Sequence, residues 1–159
     1  MLSFRKPTED DMQLYFDWTN DEEVRKQSYQ SAPVSLETHR QWFHNKLLDP
    51  GCTMLLFENE NKVPIGQVRF QQEREGRYII GISVSGAFRG KGLAELMLRQ
   101  ASEHFLAVNP GCEILAYIKA TNTGSVKSFE RAGFRFSQQL MVENNESILY
   151  IKTDKHADS

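Results

Sequence analysis

Apolar positions change their spacing several times along this chain, and each change marks an element. Leu2 to Arg5 has the length of a short strand. Thr8 with Asp11 reads as a helix start, and Met12, Leu14, Tyr15, Phe16 and Trp18 follow as an apolar helical stretch. The stretch from Asn20 to Ala32 is polar and predicts an irregular segment. Ser35 with Glu37 and Thr38 opens a second helix carrying Trp42, Phe43, Leu47 and Leu48, closed by Asp49-Pro50-Gly51. Three strand-like runs come next: Thr53 to Glu58, Ile65 to Gln71 and Arg77 to Val84. The turns between them are short enough for antiparallel hairpins. Helical spacing returns with Leu93, Leu96, Met97, Ala101, Phe105 and Val108 on one face, ending before Pro110-Gly111. Glu113 to Ile118 is a strand, Ser125 to Ala132 a helix, and Phe134-Arg135-Phe136 with Ser147 to Lys152 a closing strand pair. This order predicts a mixed sheet covered by helices, an α/β or α+β layered fold, as a single domain over residues 1–159.

Composition narrows the function only modestly. With 159 residues, 40% of them hydrophobic, the chain can bury an adequate core. A net charge of −2, with both signs spread along the chain, gives no basic stripe for nucleic acid and no polybasic membrane anchor. No apolar run approaches the ~20 residues of a membrane span, and the first residues lack a signal-peptide core. Cys52 and Cys112 show no metal or redox spacing, which predicts reduced cysteines in a cytoplasmic protein. The tail from Thr153 to Ser159 is polar and is expected to fray.

The run Ala87-Phe88-Arg89-Gly90-Lys91-Gly92-Leu93-Ala94 carries the most chemistry. It joins a strand to the start of an amphipathic helix, and its two glycines allow close approach to a ligand. Unpaired N–H groups and the positive end of the helix dipole make such a loop a phosphate site, and pyrophosphate suits it better still. Arg89 and Lys91 add positive charge at the rim. It is not a Walker loop, because Gly92 rather than Ser or Thr follows Lys91, and it lacks the third glycine of a dinucleotide loop. A second stretch runs from Ala120 to Phe134. Asn122 stands where a strand gives way to a helix and can cap it or reach a ligand, and Gly133 ends that helix.

Together the two stretches resemble the GNAT (GCN5-related N-acetyltransferase) superfamily. Arg89-x-x-Gly92-x-Ala94 is similar to its acetyl-CoA pyrophosphate loop, and Asn122-x-x-Ser125 through Phe129-Glu130-x-x-Gly133-Phe134 to its second segment. The resemblance implies a mostly antiparallel mixed sheet splayed between its fourth and fifth strands, with the pantetheine arm of acetyl-CoA in the gap and no metal. Gly81 and Ser83 are the expected bulge residues, and a backbone N–H among Ile82, Ser83 and Val84 would hold the oxyanion. The loop of Arg89, Gly90, Lys91, Gly92, Leu93 and Ala94 would hold pyrophosphate, Asn122 the pantetheine arm, and Phe129 would lie beside the cofactor. Many members carry a proton-donating Tyr where this chain has Phe129, so Tyr117, Ser125 or a water would have to protonate the thiolate. For the base, His39 and His44 are candidates by residue type alone.

The N-terminal third resembles bacterial acetyltransferases of nucleotide-linked amino sugars, including those of pseudaminic-acid-type pathways. The residues concerned are Trp18-Thr19-Asn20-Asp21, Val24-Arg25, His39-x-x-Trp42-Phe43 and Gly66-Gln67-Val68-Arg69. This implies a small-molecule acceptor, the 4-amino group of a UDP-linked amino sugar. Trp18 or Trp42 would stack on uracil or sugar, Arg25 and Arg69 would pair with the diphosphate, and Asn20 and His39 would bond hydroxyl or acetamido groups. Core packing competes for both tryptophans, and a neighbouring carboxylate competes for Arg69. The alternatives are a protein N-terminus, a polyamine, or an acetyl-CoA-binding domain without turnover. A homodimer through the closing strands is compatible with the resemblance.

Overall fold

A computed structural model describes residues 1–30 and 32–154, and shows why the N-terminal elements form where they do. The Thr8 N–H donates to Asp11 Oδ2 at 2.7 Å, and the Asp11 N–H to the Thr8 carbonyl at 2.9 Å. This reciprocal cap closes one 3-10 turn, Glu9–Asp11, before α1 (Met12–Thr19). The expected irregular segment contains a short helix, α2 (Glu22–Gln27), because Asp21 Oδ1 accepts from the N–H groups of Glu23 and Val24. Ser35 caps α3 (Leu36–Leu48) in the same manner, accepting from Thr38.

The strands are β1 (Ser3–Arg5), β2 (Cys52–Glu58), β3 (Pro64–Arg74), β4 (Arg77–Val84), β5 (Glu113–Lys119), β6 (Arg135–Val142) and β7 (Asn145–Thr153). They form one seven-stranded sheet in the order β1-β2-β3-β4-β5-β7-β6, antiparallel except for β4 and β5. The remaining helices are α4 (Leu93–Val108) and α5 (Thr123–Arg131). The layered α+β arrangement expected from element order is therefore present.

Side-chain alternation assigns each sheet face its helices. Leu55, Val68, Phe70 and Ile80 point to one face and pack with Met97, Ala101 and Phe105 of α4. Phe70 and Phe105 stack with centroids 4.3 Å apart. On the opposite face Met54 and Leu56 meet Tyr15 and Trp18 of α1 and Phe43 of α3. Leu96 and Val108, expected on the buried face of α4, are exposed, and Leu98 and Leu106 are buried instead.

Two further expectations change at the C-terminus. The strand expected at residues 134–136 runs instead as β6 to Val142, at the sheet edge and largely exposed, so Gln138 and Gln139 interrupt no core. Thr153 belongs to β7, and Asp154 Oδ2 accepts from the Gly111 N–H at 3.1 Å. The rest of the polar tail lies outside the described residues. Among those described, no helix is long and apolar enough to cross a membrane.

Candidate functional site

The site begins where the parallel ladder stops. β4 and β5 share only three residue pairs, from Arg77↔Glu113 to Ile79↔Leu115. Beyond them β4 stays bonded to β3 as far as Val84, and β5 to β7 as far as Lys119. The β3–β4 register fixes which N–H groups this leaves open. Ser85 donates to the Ile65 carbonyl at 2.8 Å, so by alternation Ser83 and Gly81 also direct their N–H groups at β3. The N–H groups of Ile82 and Val84 therefore face the β5 side, past the last β4–β5 pair. No bulge interrupts β4 at Gly81 or Ser83, contrary to expectation, because the register with β3 is unbroken from Gly66↔Val84 to Gln72↔Tyr78. The gap comes from divergence of two otherwise regular strands.

The loop after β4 makes one 3-10 turn (Gly86–Phe88) and then passes through Gly90 at φ 76° and Gly92 at φ 74°. Both values lie in the left-handed region that glycine adopts without steric cost. A Cβ at either position would meet nothing within 4 Å, so the loop presents bare backbone to open space. Gly92 is the N-cap of α4, and Leu93 and Ala94 contribute its first free N–H groups. The Lys91 ammonium lies 5.6 Å from the centre of the Phe88 ring. Arg89 is not a free charge at the rim: its Nη2 donates to Asp21 Oδ1 at 2.8 Å. Burial opposes ionisation of Asp21, but the Arg89 guanidinium and the α2 N–H groups outweigh it and hold the carboxyl below its usual range.

Asn122 is the N-cap of α5, with Oδ1 accepting from the Ser125 N–H at 3.2 Å. Its NH2 group is what remains for a ligand. Phe129 is 4% exposed and sits edge-on to Phe134 at 5.0 Å, which places its ring in the core. Tyr117 alternates with the core residues Ala116 and Ile118, so it projects toward the α1–α3 side of the sheet.

The six residues expected to bind an acceptor separate into distinct environments. Trp18 is packed in the core with Tyr15, and His39 is 2% exposed among Phe16, Trp42 and Phe43. Burial holds the His39 imidazole below its usual pKa, against a hydrogen bond to the Met12 backbone. Asn20 spends its amide on Val34, donating to the carbonyl at 2.7 Å and accepting from the N–H at 2.8 Å. Arg25 bonds the carbonyls of Gln30 and Ala32 and the Ser28 hydroxyl. The fold thus packs Trp18 and His39 in the core and bonds Asn20 and Arg25 to nearby backbone. Trp42 and Arg69 are brought together, with the Arg69 Cζ 5.2 Å from the centre of the Trp42 ring. His44, the other histidine considered, bonds Glu9 on the surface at 2.7 Å.

Four contacts of this region were not foreseen. Asp21 ties down Arg89. Gly81 lies under the Arg69 guanidinium: a Cβ there would be 3.4 Å from Nη2. Gln67 is buried on β3 and donates to Ser83 Oγ at 2.9 Å. Tyr29 donates to Ser147 Oγ at 2.7 Å and so seats the segment after α2 against β7. Gln67 and Arg69 alternate along β3 and share a face, which is the signal that pairs them; nothing in the sequence marks the other contacts.

Bare glycine backbone, an α4 N-terminus and two inward N–H groups on one sheet edge fit a phosphate-bearing thioester cofactor. Among the described residues, no group of three or more His, Cys, Asp and Glu is placed to hold a metal ion. In fold, the chain is similar to a Vibrio cholerae spermidine N-acetyltransferase in complex with CoA and spermine: TM-score 0.89, 14% identity, 99% of this chain and 98% of that one. An aminoglycoside acetyltransferase in complex with coenzyme A gives 0.82 at 19% identity over 98% and 96%. In sequence, 89 residues are 28% identical to mycothiol acetyltransferase of Corynebacterium glutamicum, covering 56% of this chain and 30% of that protein. The profile of the acetyltransferase (GNAT) domain matches residues 1–135, spanning the splayed strands, the glycine loop and the Asn122 helix, and the chain belongs to that family.

Proposed function

We propose that the chain is an acetyl-CoA-dependent N-acetyltransferase acting, as one domain, on a primary amine. The observation that supports this most is the pair of inward N–H groups at Ile82 and Val84, next to a loop built to take pyrophosphate. Acetyl-CoA supplies the activated acetyl thioester. The backbone of Arg89 to Ala94 and the start of α4 hold the pyrophosphate, and the Asn122 NH2 group reaches the pantetheine arm. An N–H of Ile82 or Val84 donates to the carbonyl oxygen as negative charge develops on it. The neutral amine attacks from the α1–α3 face, and the C–S bond breaks as the C–N bond forms. The Tyr117 hydroxyl protonates the departing thiolate and is itself reprotonated, through solvent, by the proton that the amine nitrogen gives up, with Ser125 as the other donor on offer. A thiol of pKa ~8.5 leaves readily enough that this donor assists rather than decides.

For the acceptor, the finer reading is the 4-amino group of a UDP-linked amino sugar. Trp42 offers an aromatic face and Arg69 a guanidinium on the same side of the sheet. Arg25 bonds the Gln30 and Ala32 carbonyls and the Ser28 hydroxyl through Nη1 and Nη2, which leaves Arg69 as the more available guanidinium for this role. The enzymes of similar fold in complex with spermine or kanamycin hold polycations, whereas the charge beside Trp42 here is the Arg69 guanidinium. The test measures CoA thiol release from acetyl-CoA with a UDP-4-amino-4,6-dideoxy sugar, a basic peptide and spermidine in parallel. Turnover confined to the sugar nucleotide is expected. Turnover with the peptide or spermidine alone would overturn the acceptor assignment, and absence of any turnover despite CoA binding would overturn the catalytic one.

A further inference from the structure

Among the described residues, Arg69 is a charge left without a counter-ion. It sits on β3 between Met54 and Gly81 of the neighbouring strands, beneath α1 and α3. It makes no hydrogen bond or ion pair with another described residue. Its surroundings are the Trp42 ring at 5.2 Å, the Gly81 backbone, the Tyr15 hydroxyl and the Cys52 thiol. Burial favours the neutral forms of Tyr15 and Cys52, so neither balances the guanidinium. The Tyr15 hydroxyl is itself buried without a partner. By contrast, Arg5, Arg77 and Arg89 each meet a carboxylate, and Arg25 caps two carbonyls.

A guanidinium carries five N–H donors, and an unpaired charge in a partly enclosed position is costly. Gly81 keeps space beside it, one residue before Ile82. Arg69 is partly exposed.

We infer that Arg69 is an anion-binding residue of the acceptor site, and that the amine acetylated here belongs to a molecule carrying a phosphoryl or carboxylate group close to that amine. The inference rests on this face being the acceptor side. The oxyanion group of the substrate takes the place of the missing counter-ion, accepting two N–H bonds from the planar fork while Trp42 covers the other side. A polycationic acceptor meets repulsion at the same point.

The experiment saturates the protein with CoA, so that the glycine loop is occupied, and titrates it with inorganic phosphate in one series and acetate in another. Calorimetry and tryptophan emission, which Trp42 reports, follow binding. Saturable binding of at least one anion is expected, weakened about tenfold or more in R69Q, with CoA affinity unchanged. R69K keeps the charge without the fork and is expected to bind with intermediate affinity, which guards against a misfolded R69Q. The stronger of the two anions identifies the group carried by the acceptor. No saturable response to either anion, or equal binding by wild type and R69Q, overturns the inference. Should the UDP-linked sugar fail as substrate while an anion still binds through Arg69, the sugar assignment falls and the anion site stands.

Discussion

Arg89 and Asp21, 68 positions apart, meet at 2.8 Å and tie the glycine loop to the start of α2. Asp21 does two jobs, since the same oxygen caps α2. D21A removes both and is expected to cost about 1–2 kcal/mol. D21N keeps a good cap, loses only the ion pair, and is expected to cost no more than about 1 kcal/mol. Urea denaturation of the two variants separates the roles. Because the folded-state carboxyl is held below its ordinary range, the contribution of Asp21 is present above about pH 4 and is lost as pH falls below it.

Gly92 separates ligand binding from folding. Its φ of 74° penalises any side chain by about 1–2 kcal/mol, while the space around it is open. G92V is therefore expected to remain folded but to weaken acetyl-CoA binding at least about tenfold, through a tilted loop backbone and an obstructed cradle. Calorimetry with CoA beside a thermal melt checks both halves. Wild-type affinity in G92V would remove this loop from the cofactor site.

Gly66 makes the opposite case. A Cβ there would stand 2.4 Å from the Ser83 carbonyl oxygen and 3.1 Å from Val84 Cα, both backbone atoms. Neither can give way without distorting β4 at the open edge. G66A is expected to lose about 2–4 kcal/mol of stability, read from chemical denaturation.

His39 is predicted to set a pH dependence of stability rather than of catalysis. Its folded pKa lies below the unfolded value of about 6.5, so between the two the unfolded chain binds more protons. Stability is then complete above about pH 6.5 and declines as pH falls toward the lower folded value. H39F, which fits the surrounding aromatic cluster, is expected to flatten this part of the profile. Thermal melts from pH 5 to 7.5 decide the matter, and an unchanged slope in H39F would count against it.

Most of the element order was legible because helix and strand periods alternate cleanly. β4 matches its expected span from Arg77 to Val84, since apolar alternation and flanking turns agree. α2 was hidden because Glu22–Gln27 has no apolar stripe and depends on a single cap. β6 was cut short because an edge strand need not bury either face. The glycine loop could be read since left-handed backbone demands glycine locally. The environments of His39, Asn20 and Arg25 could not, because each is decided by partners up to fourteen positions away or on other elements. A histidine bound for the core looks the same in sequence as one bound for a ligand.

The early end of the β4–β5 ladder leaves two strand edges inside the sheet, the kind of unsatisfied boundary that proteins usually blunt at their periphery. Occupancy and folding thereby become one linked equilibrium: whatever bridges the gap completes the sheet. A ligand at one hundred times its Kd adds about 2.7 kcal/mol to stability. Hydrogen exchange should place that gain at Ile82 and Val84, which are expected to exchange readily in the free protein and to become protected with CoA bound. On the proposed activity, the molecule would be stiffest while loaded, and each release of product would return it to its more yielding form.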